Sequence, residues 1–381
     1  MVRILILGLS CLAAAGAQSD ISRDGSFWVR SMSGASAVAP ATRLRVVASG
    51  GVRVCGAAQD QLTYTWKVRV KGRGETEARN KLNAAVIRVT RASDLVSLVA
   101  RPGAGIGALD VRVPKTVKEA AIYTSDGNLE ACDFDGSVRA QTGGGVVKAD
   151  RIRGDLRADT GGGDVELGSI EGQVRVVTGG GRITAVSLGG EANLATGGGD
   201  IGVQQAGATL HVSTGGGGIR IGRAGGPVIA NTGGGPIEIS QALGTVTTRN
   251  VGGPVQVGAA RGVSCENAAG GVKLQNVSGS LRVSTAFGSI LAQLLAGQPI
   301  TDSFLTTANG DITVVIPSNL AVTIQARNQS ADSMRRIVSE FPGVSVRMDG
   351  GQVVAEGVIN GGGPVLRIAG TGGTIFIKRQ Q

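Results

Sequence analysis

Apolar side chains between residues 111 and 257 recur every 18 positions. One column runs from Val111 through Leu129, Val147, Val165, Ile183 and Ile201 to Val255, with Val113, Ala131, Ala149 and Leu167 two residues on. A second runs from Val138 through Leu156, Val174 and Leu210 to Val246, with Ala140, Ala158 and Val176 two residues on. Spacing of two turns alternate side chains to one face and predicts two short strands per period. A lone fifth column, Phe134, Ile152, Ile170 and Leu188 continued by Ala206, Ala224 and Ala242, lies between the pairs and favours a short third side. After Val257 the columns return one residue early, at Val263, Val272 and Leu281, as a one-residue deletion requires.

No single period can bury its apolar face, so successive periods must stack, each strand bonding to its copies above and below. The predicted fold is all-β: a single-stranded parallel β-solenoid with 18-residue coils, capped by small β/α elements at both ends. Its corners are marked by Thr-Gly-Gly-Gly at Thr142, Thr160, Thr178, Thr196, Thr214 and Thr232, with degenerate copies at Thr124, Asn250, Ala268 and Ala286. Glycine permits backbone angles that other residues avoid and lets stacked corners approach closely.

The flanks read differently. Residues 18–42, rich in Ser, Ala and Gly, are expected as a linker, and residues 43–105 as an N-terminal strand and helix cap. Leu62, Tyr64, Trp66 and Val68 alternate with Thr63, Thr65, Lys67 and Arg69 there, and Glu75 to Ala85 suits a short helix. The repeats occupy 106–296. Residues 297–381 resume the strand pattern around a helix expected near Asp332 to Glu340.

With these features the chain resembles a bacterial putative-adhesin family of exported β-strand-repeat proteins built around a domain of unknown function. The likeness rests on Val46 to Val54, Asp110-Val-Arg-Val-Pro114, the repeat Thr160 to Leu167 and the closing Thr371-Gly-Gly-Thr-Ile-Phe-Ile-Lys378, and spans roughly residues 43–381. It implies the fold and an adhesive role. It offers no catalytic motif to carry over.

Residues 1–17 read as a secretory signal, with Arg3, an apolar stretch from Ile4 to Ala15, and an Ala15-Gly16-Ala17 cleavage site. The expected address is therefore outside the cytoplasm: periplasm, cell surface or medium. A lipoprotein reading through Cys11 is disfavoured by Gly8 three positions earlier. No later stretch reaches the 18 or so apolar residues of a transmembrane helix. Cleavage leaves Cys55, Cys132 and Cys265, so at most one disulfide can form within the chain; order along the chain offers Cys55 with Cys132, without a distance to decide it.

Glycine contributes 64 of 381 residues and aromatics 3%, yet apolar residues still make up 41%, which excludes a disordered glycine tract. The single histidine, His211, and four cysteines weigh against zinc sites, haem ligation and histidine catalysis, so neither metal nor cofactor is expected. Of 38 Lys and Arg and 28 acids, 18 and 8 lie in residues 1–120, leaving 20 and 20. A basic excess confined to one end argues against a long nucleic-acid groove.

Stacking turns outward positions into ladders. Glu130, Lys148 and Glu166 alternate in sign, as do Asp164, Arg182 and Asp200, and Asp135, Arg153 and Glu171. One line breaks the rule: Arg139, Arg157 and Arg175 stack like charges, followed by Asn193 and His211, a candidate anion-binding column for acidic polysaccharide or a lipid headgroup. One threonine per coil is too few for an ice-binding array, and Asp164 and Asp200 alone do not make a calcium β-roll. The expected function is a non-enzymatic exported β-solenoid, a structural or adhesive element of the bacterial cell envelope with a polysaccharide or protein partner. The alternatives are a polyanion-binding module and a polysaccharide-active lyase or hydrolase. The last needs carboxylates in a walled cleft, and no long insertion interrupts Thr124 to Gly288.

Overall fold

In the computed structural model, residues 21–39, 42–329 and 336–380 are described; the secretory signal expected at 1–17, Cys11 included, lies outside them. The chain divides into two compact units, residues 1–163 and 164–381. The fold is an all-β solenoid in which most strands pair in parallel, and the inward columns form its core.

In the first unit one face runs Leu95–Arg101, Arg43–Ala48, Glu119–Thr124, Ser137–Thr142, Leu156–Thr160, all parallel, with Val86–Ala92 added antiparallel at the edge. The other runs Ile106–Pro114, Gly50–Ala57, Leu129–Phe134, Val147–Ile152 in parallel, and Gln61–Val70 then Phe27–Ala37 extend it antiparallel. Gly50–Ala57, expected in the cap, thus lies between Ile106–Pro114 and Leu129–Phe134. Val111 consequently joins the Ala131 column through Val54 rather than the Leu129 column.

The linker expected at 18–42 is corrected for Phe27–Ala37, which pairs along its whole length with Gln61–Val70. Its small residues have a packing reason: a Cβ at Gly34 would stand 2.5 Å from the Tyr64 hydroxyl. The expected helix forms at Glu75–Asn83 and buries Ala78 and Leu82. Buried Arg30 closes its C-terminal end, donating to the Leu82 carbonyl (3.2 Å) and the Asn83 side chain (3.0 Å). A cation there complements the negative pole of the helix.

In the second unit the 18-residue register is kept from Ile183 to Ile201, Ile219, Ile237 and Val255. It shortens to 17 where Val246 meets Val263 and Val255 meets Val272, the deletion read from the sequence. The fifth column is buried on the same strand as the column before it: Val165–Ile170 pairs at Val165 to Leu167 and again at Ser169 and Ile170, so a bend carries Ile170 inward. Farther along, Val322–Asn328 pairs antiparallel with Gln352–Ile359, which pairs antiparallel with Val344–Asp349. The helix expected near Asp332 to Glu340 is corrected where it is described: Ile337–Ser339 is a strand parallel to Ile375–Arg379, with Ile337 buried in the Ile375 column.

Candidate functional site

The Thr-Gly-Gly-Gly corner is an internal lock. The Thr214 hydroxyl donates to the Gly199 carbonyl of the preceding coil (2.8 Å) and accepts from the Gly217 N–H of its own (3.1 Å). Thr142, Thr160, Thr196 and Thr232 make the same donation to Gly127, Gly145, Gly181 and Gly217. These threonines are buried, so the ladder presents no hydroxyl array to solvent. The place passes to Asn250 and Asn267 and then returns to Thr285 and Thr307, one residue ahead of the Ala268 and Ala286 copies named from the sequence.

The glycines follow from this geometry. A Cβ at Gly199 would lie 2.1 Å from the Gly181 carbonyl oxygen, and one at Gly197 2.1 Å from that of Gly179. At Gly198, between them, a Cβ meets nothing within 4 Å.

Outward charges pair across coils. Arg151 bonds Asp133 (2.7 Å) and also Asp150, Arg153 bonds Asp135 (2.9 Å), Arg220 bonds Glu238 (3.2 Å) and Arg249 bonds Glu266 (3.1 Å). Hydrogen bonding from Arg151 holds the Asp133 carboxyl below the usual carboxylate range. In the second unit Asp164 accepts from the Arg182 N–H (2.7 Å), and Arg182 lies 3.8 Å from Asp200.

The arginine column divides between the units. In the first, Arg139 sits in register with Arg157, both exposed, and Arg157 is tied to Asp159 beside it (3.0 Å). Ala121 and then Arg45 continue the line, and Arg45 stacks 5.9 Å from the Tyr123 ring. Sequence reasoning missed Arg45 because its strand stands outside the 18-residue register. The alternation of Leu44, Val46 and Ala48 with Arg43 and Arg45 was the available signal. In the second unit Arg175, Asn193 and His211 are successive partners and Ile229 follows, so positive charge fades there.

The Cys55–Cys132 disulfide joins residues in register on neighbouring parallel strands, Cα to Cα 4.6 Å. Cys265 is a free, fully buried thiol in the column of Val176, Leu194, Val212, Ala230 and Thr248. Among the described residues no helix is long and apolar enough to cross a membrane.

No protein-family profile matches the chain, and no curated protein matches it. Solved structures do, two of them as follows. One is a putative cell adhesion protein from Clostridium sporogenes ATCC 15579, 10% identical over 91% of this chain and 99% of that one, TM-score 0.18. The other is a putative adhesin from Bacteroides fragilis NCTC 9343, 10% identical over 92% of this chain and 97% of that one, TM-score 0.23. Neither carries a residue role over to this chain.

Proposed function

We propose that this protein is an exported, non-enzymatic β-solenoid that serves as an adhesive or structural element of the cell envelope. The observation that carries the reading is how the outer faces are built. Regular corners are closed by a threonine bonded to the coil before it, as Thr196 to Gly181 and Thr214 to Gly199. Many outward carboxylates are paired with arginines, some of them a coil away, as Asp135 with Arg153 and Glu238 with Arg220. A glycan-cleaving site needs two carboxylates converging on a substrate inside a walled cleft. Charge-paired strand faces suit contact with a large partner instead.

Export is supported by the Arg3 to Ala17 signal pattern and by the Cys55–Cys132 pair, since disulfides persist chiefly in oxidising compartments. The test is fractionation of the native host with N-terminal sequencing of the recovered protein, followed by capture of envelope extracts on the immobilised chain. A mature protein beginning at Gln18 and retaining envelope polysaccharide or protein is the expected result. Cytoplasmic protein beginning at Met1, or turnover of a glycan by the purified chain, would overturn it.

A further inference from the structure

A groove of about 420 Å³ crosses the outward face of the first unit, at the lower end of the roughly 300–1,000 Å³ of small-molecule sites. Its origin lies in the strand register. Lys67 on Gln61–Val70 stands opposite Ala108 on Ile106–Pro114, and Ala108 opposite Gly51 on Gly50–Ala57. The next outward row reads Thr65, Asp110, Arg53, Glu130 and Lys148. Long side chains therefore surround a floor of two stubs.

The backbone does not demand glycine at 51. A Cβ there meets nothing within 4 Å, and its φ lies outside the left-handed region, whereas neighbouring Gly50 has φ +105° and packs onto the Gly107 carbonyl. Glycine weakens a strand interior and often marks the close approach of something else. At 51 it keeps the floor open.

The lining carries both signs. Lys67 is an exposed cation, Arg53 forms an ion pair with Glu130 at 3.3 Å, and Asp110 and Thr65 add an acceptor and a hydroxyl. Hydroxyl groups need acceptors as well as donors, and Asp110 and Glu130 would repel a clustered phosphate. From Lys67 the same face of the strand leads to Arg69 and, just beyond its end, Lys71. Arg69 and Lys71 lie 5.7 and 5.4 Å from the centre of the Phe27 ring. Same-face residues along a strand stand about 6.7 Å apart. The groove thus opens onto a line of three cations ending at an aromatic ring.

We propose that this groove binds an acidic oligosaccharide, with a carboxylate on Lys67 and Arg53, hydroxyls on Asp110 and Thr65, and further sugar units along Lys67, Arg69 and Lys71 to Phe27. The proposal rests on the adhesive reading above and names the ligand class for one face. Calorimetric titration of the full mature chain with oligogalacturonates of three and ten units, against maltoheptaose, tests it. The acidic series should bind, the longer member more tightly, and the neutral sugar should not.

Gly51→Leu fills the floor without changing charge and should weaken binding by at least about tenfold. Lys67→Gln, an exposed substitution that leaves the core alone, should do the same and flatten the salt dependence. Melting curves establish that both variants fold, and Lys67→Gln decides alone where Gly51→Leu does not. Wild-type affinity in a folded Gly51→Leu, or no binding of either acidic oligomer, would overturn the groove. So would binding to phosphatidylglycerol vesicles that depends on Phe27 and ignores Gly51→Leu, which assigns the face to a lipid surface. Envelope capture by the wild-type chain is read separately, so the adhesive reading can survive loss of the groove.

Discussion

Replacing Thr214 by valine keeps the shape of the corner and removes its hydroxyl. The residue is buried, and the hydroxyl serves two backbone groups at once: it donates to the Gly199 carbonyl at 2.8 Å and accepts from the Gly217 N–H at 3.1 Å. Leaving a buried donor or acceptor without a partner costs about 1–3 kcal/mol per group, so losing both should cost about 2–6 kcal/mol. Thr214→Ser keeps both bonds and loses one methyl, about 1 kcal/mol. Urea unfolding followed by circular dichroism separates the two. The valine variant should show a clearly lower midpoint at unchanged slope, and the serine variant a small shift. A valine variant within about 0.5 kcal/mol of wild type, or a serine variant as damaged as the valine, would show that the hydroxyl does not lock the coils.

Two further outcomes follow from the same geometry. Gly198→Ala, whose Cβ meets nothing within 4 Å, should melt with the wild type, whereas Gly199→Ala, whose Cβ would stand 2.1 Å from the Gly181 oxygen, should melt several degrees lower, as overpacking of about 1–3 kcal/mol requires; equal melting temperatures would contradict the corner geometry. Burial pushes the Cys265 thiol up to about 11, above the roughly 8.5 of an unfolded cysteine. Its contribution to stability is complete below the lower value and declines as pH rises through the upper one, so wild type should lose stability relative to Cys265→Ala between about pH 8.5 and 11 in pH-dependent urea melts.

The repeats were legible because a stacked coil returns each inward position to the same place. Val246, Val263 and Leu281 reveal the 17-residue coil in the spacing alone, and the structure pairs them accordingly. Legibility fails where the chain leaves the stack. Gly50–Ala57 is separated from its neighbour Leu129–Phe134 by the excursion through Gln61–Val70, the helix and the Val86–Arg101 hairpin, so no period connects them. Phe27–Ala37 escaped because a run of Ser, Ala and Gly reads as a linker, although Gly34 is held small by the Tyr64 side chain on the strand it pairs with. Ile337–Ser339 is too short for its alternation to compete with a helical reading.

The candidate surfaces divide along the same line. Arg139 and Arg157 lie 18 residues apart on adjacent coils and were visible as a column, while Arg45 joined it only through pairing that the sequence does not encode locally. The groove was wholly hidden, since Gly51, Lys67, Ala108 and Glu130 come from four strands brought together outside the repeat. In regular coils, identical neighbours above and below fix the register. Gly50–Ala57 has no such copies, and the Cys55–Cys132 bond ties it in register to Leu129–Phe134, closing a separation of 77 residues worth about 4.5 kcal/mol in the chain-entropy account. Arg53 stands two residues from one cysteine and Glu130 two residues from the other, and their 3.3 Å pair forms one wall of the groove. The disulfide therefore joins the two strands that carry this wall of the groove.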